Sequence, residues 1–307
     1  MAEPVSAFVD RALYGPDGFY EQGGRAGRRG ASFVTSPEVG PLFGTVVARA
    51  LDAWWDDAGR PAEWVVVDAG AGPGTLARAV LAAAPACAGA LRLVCVERTA
   101  AQRALHPGGV ESTDRLPDLA DVIIANELLD NLAFDLLERT GEGWVPVVVR
   151  SDGTTQPDTG GPRVPVAAAA SAWVTAARRR LRPHGLLVCF DYADTTAALG
   201  ARPWTDWVRA FAGHEQVPHP FAAPGTRDVT VVVPWDQLPP PERATDQASW
   251  LRDHGIDALV EEGVAHWTAH AAAPDLEAMR MRSRVREAEA LTDPAGLGAF
   301  WVGEWRP

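Results

Sequence analysis

A chain of 307 residues with 47% apolar composition has ample material for a buried core, in one large α/β domain or two ordinary ones. Its 28 basic and 40 acidic residues leave a net charge of -12, which repels a phosphate backbone and disfavours nucleic-acid binding, whereas a cationic partner suits such a surface. The chain has no lysine, so the Schiff-base lysine of pyridoxal enzymes and the phosphate-gripping lysine of Walker-type loops are both excluded.

The opening residues, MAEPVSAFVD, have neither a basic n-region nor an apolar h-region, and no apolar stretch of about 18 residues follows. The expectation is a soluble, cytoplasmic chain without a membrane span. Val5, Phe8, Val9, Ala12 and Leu13 recur at helical spacing and predict a short amphipathic helix. From Gly15 to Gly30 glycine-rich turns take over, with Tyr14, Phe19 and Tyr20 set among them. Ser36 can then cap a helix, Pro37 suits its first position and Glu38 faces its positive end, followed by an apolar stripe of Leu42, Phe43, Val46, Val47, Ala50 and Leu51. Residues 1–62 therefore read as a helical and loop segment ahead of an α/β domain at 63–307.

From Trp64 the order becomes strand, helix, strand: WVVVD, then Leu76 to Ala84, then LRLVCVE, the pattern of a right-handed parallel βαβ unit. Further strands are expected at GVES near Val110, DVIIAN ending at Asn126, GLLVCFD ending at Asp191, RDVTVVV ending at Val233 and GAFWVGEW near the terminus, so that seven fit one mostly parallel sheet with helices on both faces. A helix from Ser171 to Arg182 ends in Arg178, Arg179, Arg180 and Arg182, where cations suit a helix C-terminus. Residues from about 235 to 290 are Pro-rich and then helical, an insertion packed on the sheet.

The run Asp68-Ala69-Gly70-Ala71-Gly72-Pro73-Gly74-Thr75 follows the first strand and opens a helix. Glycines allow a tight turn and close backbone approach to a ligand in the crevice at the strand ends. Glu97 ends the second strand, where a carboxylate can accept hydrogen bonds from two ribose hydroxyls. The spacing Gly70-x-Gly72-x-Gly74 departs from the G-x-G-x-x-G dinucleotide fingerprint, which calls for glycine or alanine at Thr75. S-adenosylmethionine fits better, with Asp68 available for its ammonium group. Cys87, Cys95 and Cys189 show no CxxC spacing, and His266 and His270 stand four apart with no third ligand, so no metal is expected.

Beyond the fourth strand stand Asn126-Glu127-Leu128-Leu129-Asp130-Asn131, and Asp191-Tyr192 follow the fifth. Methyl transfer mainly requires alignment of the acceptor's lone pair with the sulfonium. If the acceptor is a guanidinium, Glu127 and Asp130 can neutralise it, orient one nitrogen and accept its proton, with Asp191 as another acid nearby. Trp204 and Trp207 are candidates to line the acceptor pocket.

These residues resemble the MidA family of S-adenosylmethionine-dependent methyltransferases. The resemblance rests on YGPDGFYE from Tyr14, FVTSPEVGPLFG from Phe33, VDAGAGPGTLAR from Val67, IIANELLDNL from Ile123, LLVCFDY from Leu186 and PGTRDVT from Pro224. It implies a Rossmann-like class I methyltransferase with a cofactor site at Gly70, Gly72, Gly74 and Glu97. Asp68, Thr75 and Asn126 complete that expected site. Thr35, Ser36, Pro37 and Glu38 are implied to close the pocket from above. Arginine methylation of a protein partner is implied by the same likeness. Ser32, Ala133 and Asp135 depart from the family pattern on the acceptor side, which leaves a small-metabolite acceptor, or an assembly factor without turnover, as alternatives. Richness in Ala, Gly, Pro and Arg resembles the coding bias of a GC-rich bacterial genome.

Overall fold

The computed structural model describes residues 2–24, 35–212 and 215–307. Ser32 and Phe33 lie outside that set. The first helix, α1 (Val5–Tyr14), buries all five of its expected apolar positions. The next expected helix is divided. Thr35 is the N-cap of a single turn, α2 (Ser36–Val39), and Gly40-Pro41 separates it from α3 (Pro41–Asp57), so Ser36 lies inside the turn and does not cap it.

The centre is a seven-stranded sheet of β1 (Trp64–Ala69), β2 (Leu91–Val96), β3 (Glu111–Thr113), β4 (Ala120–Asn126), β5 (Leu181–Asp191), β6 (Arg243–Asp246) and β7 (Trp301–Trp305), in the order β6-β7-β5-β4-β1-β2-β3. Only β7 runs against the others, pairing antiparallel with both β5 and β6. β1 is buried along its whole length, as expected of a parallel strand covered on both faces. The chain reverses its direction of winding between β1 and β4, and that switch point opens a crevice beyond the strand ends.

Two expectations need correction. The segment RDVTVVV does not join this sheet; Asp228–Val231 pairs antiparallel with Val208–Ala212 in a separate small sheet. The strand that fills its place is β6, inside the segment read as an insertion. The helix placed at Ser171 to Arg182 is α5 (Ala168–Arg178), and Leu181 already belongs to β5. Beyond α5 two of the arginines pair with acids, Arg180 with Asp118 at 2.6 Å and Arg182 with Glu63 at 3.0 Å and Asp121 at 3.7 Å.

One core joins α3 and α4 (Thr75–Ala82) to one sheet face, together with α6 (Gln247–Asp253) and α7 (Ile256–His270). A second, around α5, Trp235 and Trp305, covers the other face. A third joins α1 to the small antiparallel sheets. The last helix, α8 (Leu276–Leu291), packs antiparallel on α7 as a hairpin. No helix among the described residues is long and apolar enough to cross a membrane.

Candidate active site

The turn between β1 and α4 is held at its start by Val96, whose carbonyl accepts from the amides of Gly70 at 2.9 Å and Ala71 at 3.1 Å. Gly70 has φ +70°, and a Cβ there would come within 2.9 Å of Leu128. Gly72 has φ +50° and faces open space, so a side chain at this position would stand in the crevice. The Gly72 amide donates to Glu97 Oε2 at 3.1 Å, and the Thr99 amide donates to Glu97 Oε1 at 2.9 Å. His106 supports the turn from behind: its Nε2 donates to the Gly72 carbonyl at 3.0 Å, which leaves Nδ1 to accept from the Ser112 hydroxyl at 2.8 Å.

Above this turn lies a cavity of about 320 Å³ lined by Gly70, Gly72, Thr75, Asp68, Glu97 and Asn126, and covered by Thr35, Pro37 and Glu38. Asp68 is 5% exposed, and its Oδ2 has no protein partner. Burial, with the nearby Glu97 carboxylate, pushes the Asp68 carboxyl up to about 7. Asn126 Oδ1 is likewise buried without a partner. These two orphaned oxygens, the bare backbone of the turn and the acid at the end of β2 fit a ligand with a cationic amino-acid end and a ribose. The Thr75 hydroxyl donates to Glu38 at 2.6 Å, and the Ser36 amide donates to Glu127 at 3.3 Å, so α2 is tied to both sides of the cavity.

The same cavity continues past Asn126 to a chamber walled by Tyr14, Tyr20, Glu127, Asp130, Asn131, Asp228 and Thr230. Glu127 has φ +52°, a left-handed conformation unfavourable for a side-chain-bearing residue by about 1 kcal/mol. It turns the carboxylate toward Asn126, whose Nδ2 donates to Glu127 Oε1 at 3.1 Å, and leaves Oε2 without a partner. Asp130 receives the Tyr192 hydroxyl on one oxygen and has no partner on the other. Asp228 Oδ1 accepts from Asn131 Nδ2 at 3.1 Å and from the Tyr20 hydroxyl at 3.0 Å. Burial raises all three carboxyls, Glu127 to about 8, Asp130 to about 7 and Asp228 to about 6. Among the described lining residues Arg98 is the one cation, and it is paired with Asp10 at 2.6 Å.

The expected site is therefore assembled with four changes. Asp191 does not line the cavity: it is fully buried, and its Oδ2 accepts from the amides of Leu129 at 2.9 Å and Asp130 at 3.3 Å, so it shapes the turn that carries the other acids. Ser36 points away, donating to Gln247 at 2.9 Å. Gly74 caps α4 outside the cavity. Trp204 stacks on Phe221 and Trp207 is buried in the third core, so neither lines the acceptor side. Sequence reasoning missed Tyr14, Tyr20, Asn131, Asp228, Thr230 and His106 as site residues; YGPDGFYE and PGTRDVT carried four of these six as motifs without assigned chemistry.

Comparison with known proteins agrees with this geometry. Residues 46–163 match the Methyltransf_28 family of S-adenosyl-L-methionine-dependent methyltransferases. The mouse protein arginine methyltransferase NDUFAF7, mitochondrial, is 24% identical over 84% of this chain and 72% of its own length. Its Drosophila melanogaster homologue is 39% identical over 25% of this chain and 18% of its own. A Burkholderia thailandensis COG1565 superfamily structure bound to S-adenosyl-homocysteine shares the fold, with TM-score 0.78, 24% identity and coverage of 100% of this chain and 88% of that one. The chain accordingly has the Rossmann-like α/β fold of that S-adenosyl-homocysteine-bound structure, and its residues 46–163 are similar to a family of S-adenosyl-L-methionine-dependent methyltransferases.

Proposed function

We propose that this chain is a methyltransferase that transfers the methyl group to an arginine side chain of a protein partner. The observation that carries the reading is the acceptor chamber: three buried carboxylates, two with an unpartnered oxygen, and among the described lining residues a single cation, Arg98, which is already paired. Such a chamber is complementary to a cation that brings several N–H donors, and a guanidinium brings five. The relatives' names as protein arginine methyltransferases support the same acceptor.

In this reading Asp68, Glu97, Asn126 and the Gly70–Gly74 backbone hold the cofactor, and α2 covers it through Thr35, Pro37 and Glu38. When bound, S-adenosylmethionine supplies an electrophilic methyl carbon on sulfur, and the thioether is the leaving group. Glu127 and Asp130 hold the guanidinium nitrogen in line and take the proton released as its new N–C bond forms. Asp191 acts as a positioning residue through the Leu129 and Asp130 amides. The acidic surface suits docking of a basic protein segment.

Two of the three departures that favoured a metabolite acceptor lie away from the cavity, and the third, Ser32, is outside the described residues. Asp135 accepts from the Ser6 amide at 2.9 Å in the link to α1, and neither it nor Ala133 lines the cavity. Incubation with labelled S-adenosylmethionine and a lysate, followed by hydrolysis and amino-acid analysis, is expected to give labelled methylarginine, abolished by Glu127→Gln. Label confined to small molecules, or to protein residues other than arginine, would overturn the reading.

A further inference from the structure

We propose that Asp228 and Tyr20 are the specificity-determining residues of the acceptor chamber, selecting a positively charged acceptor head while Glu127 and Asp130 serve the reacting nitrogen. The proposal deepens the arginine reading and rests on it.

Asp228 comes from the small antiparallel sheet, Tyr20 from the loop after α1, and Asn131 from the turn beyond β4, so three distant segments meet at one carboxylate. Asp228 is 6% exposed and lines the cavity, yet no ion pair to it exists among the described residues. Its Oδ1 takes two neutral donors, the Tyr20 hydroxyl and the Asn131 amide, which fix its orientation without neutralising it. The neighbouring Asp130 is 2% exposed and carries a buried oxygen with no partner. Asp228 lies close enough to Asp130 to raise the energy of charging it. Buried carboxylates so placed are relieved by taking up a proton or by a cation that enters between them. A neutral acceptor of the same shape offers no such relief and leaves the charges opposed. A planar guanidinium can give donors to both acids together and brings a positive charge, whereas a hydroxyl has one donor and a carboxamide has no charge.

Tyr20 does more than hold Asp228. Its ring stacks on Tyr14 with centroids 5.5 Å apart, and the Arg98 guanidinium lies 4.4 Å from the Tyr14 ring centroid, so the aromatic wall already carries one such cation.

The test uses the full chain with S-adenosyl-homocysteine bound and two probes, N-acetyl-arginine amide and its neutral isostere N-acetyl-citrulline amide, read by ligand-induced thermal shift. The wild type is expected to be stabilised by the arginine probe and not by citrulline. Asp228→Asn should weaken the arginine probe at least tenfold while leaving the shift caused by S-adenosyl-homocysteine unchanged. Tyr20→Phe, which removes one hydroxyl, should weaken it about threefold and decides the matter if Asp228→Asn does not fold. Unaltered arginine binding in whichever of the two variants folds would overturn the proposal. Failure of the arginine reading shows separately, as a wild type that binds the arginine probe but deposits no label on arginine in protein; equal response to arginine and citrulline would overturn both.

Discussion

Asp130 sits where a carboxylate is expensive to charge: buried, beside Asp228, with the Tyr192 hydroxyl on one oxygen and the other without a partner. Its protonated form is favoured in the fold relative to the unfolded chain, so the stability contributed below the ordinary carboxyl range is lost as pH climbs through about 7. Asp130→Asn removes that titration, and the ligand-free variant should melt about 2 °C above wild type at pH 8, with little difference at pH 4, as read by calorimetry. The same protons oppose catalysis. Glu127 and Asp130 accept a proton only when ionised, so kcat/KM for an arginine acceptor should fall as pH drops through the window from about 8 to about 7. A flat pH-rate profile across that window would show that neither acid takes the proton. Glu127 and Asp130 were readable in sequence as polar groups capping a hydrophobic strand, but the left-handed twist at Glu127 and the orphaned oxygens become visible only once the turn is folded.

At the level of elements, the short turn α2 covers the cofactor cavity and is held from outside the sheet. Gln247 on α6 accepts from the Ser36 hydroxyl and donates to the Leu291 carbonyl at 3.0 Å, while Glu287 on α8 accepts from the Leu42 amide at 2.9 Å at the start of α3. Gln247→Leu leaves Ser36 without its buried acceptor. Affinity for S-adenosyl-homocysteine, measured by calorimetry, should fall about threefold to tenfold. The glycine turn has a sharper dependence, because Gly72→Val places a branched side chain in the cavity at a left-handed position, and binding of the same probe should weaken by more than tenfold. The strand-turn-helix context of the glycines was legible because β1 and β2 are continuous apolar runs. The division of α2 from α3 was not, since Gly40-Pro41 fits a helical stripe until Glu287 is seen packed against Gly40.

Across the whole molecule, the parallel centre of the sheet was readable because strands covered on both faces leave uninterrupted hydrophobic segments. β6 escaped because an edge strand reading Arg-Ala-Thr-Asp is half-exposed and carries no apolar signal. The small sheets escaped for a related reason: their strands are two to six residues long, and Asp228–Val231 has the composition of a central strand without being one. One of them is secured by a buried ion pair, Arg163 with Glu138 at 2.7 Å, both almost fully enclosed, and supported by Thr159 and Thr155. Glu138→Gln should destabilise the fold by about 3 kcal/mol in urea titration, because it removes the buried counter-charge of Arg163 and leaves only the exposed Asp158 beside it. The acceptor chamber as a whole was beyond sequence reasoning, since Tyr20, Asn131 and Asp228 meet only after three segments close on one another.

The backbone twist at Glu127 has an evolutionary corollary. Glycine there would relax the chain and delete a troublesome charge in one step, and neutral replacements of the neighbouring acids would also make a sturdier molecule. Selection for robustness alone works against this corner of the protein, so a lineage freed from the need for methylation would shed these acids first.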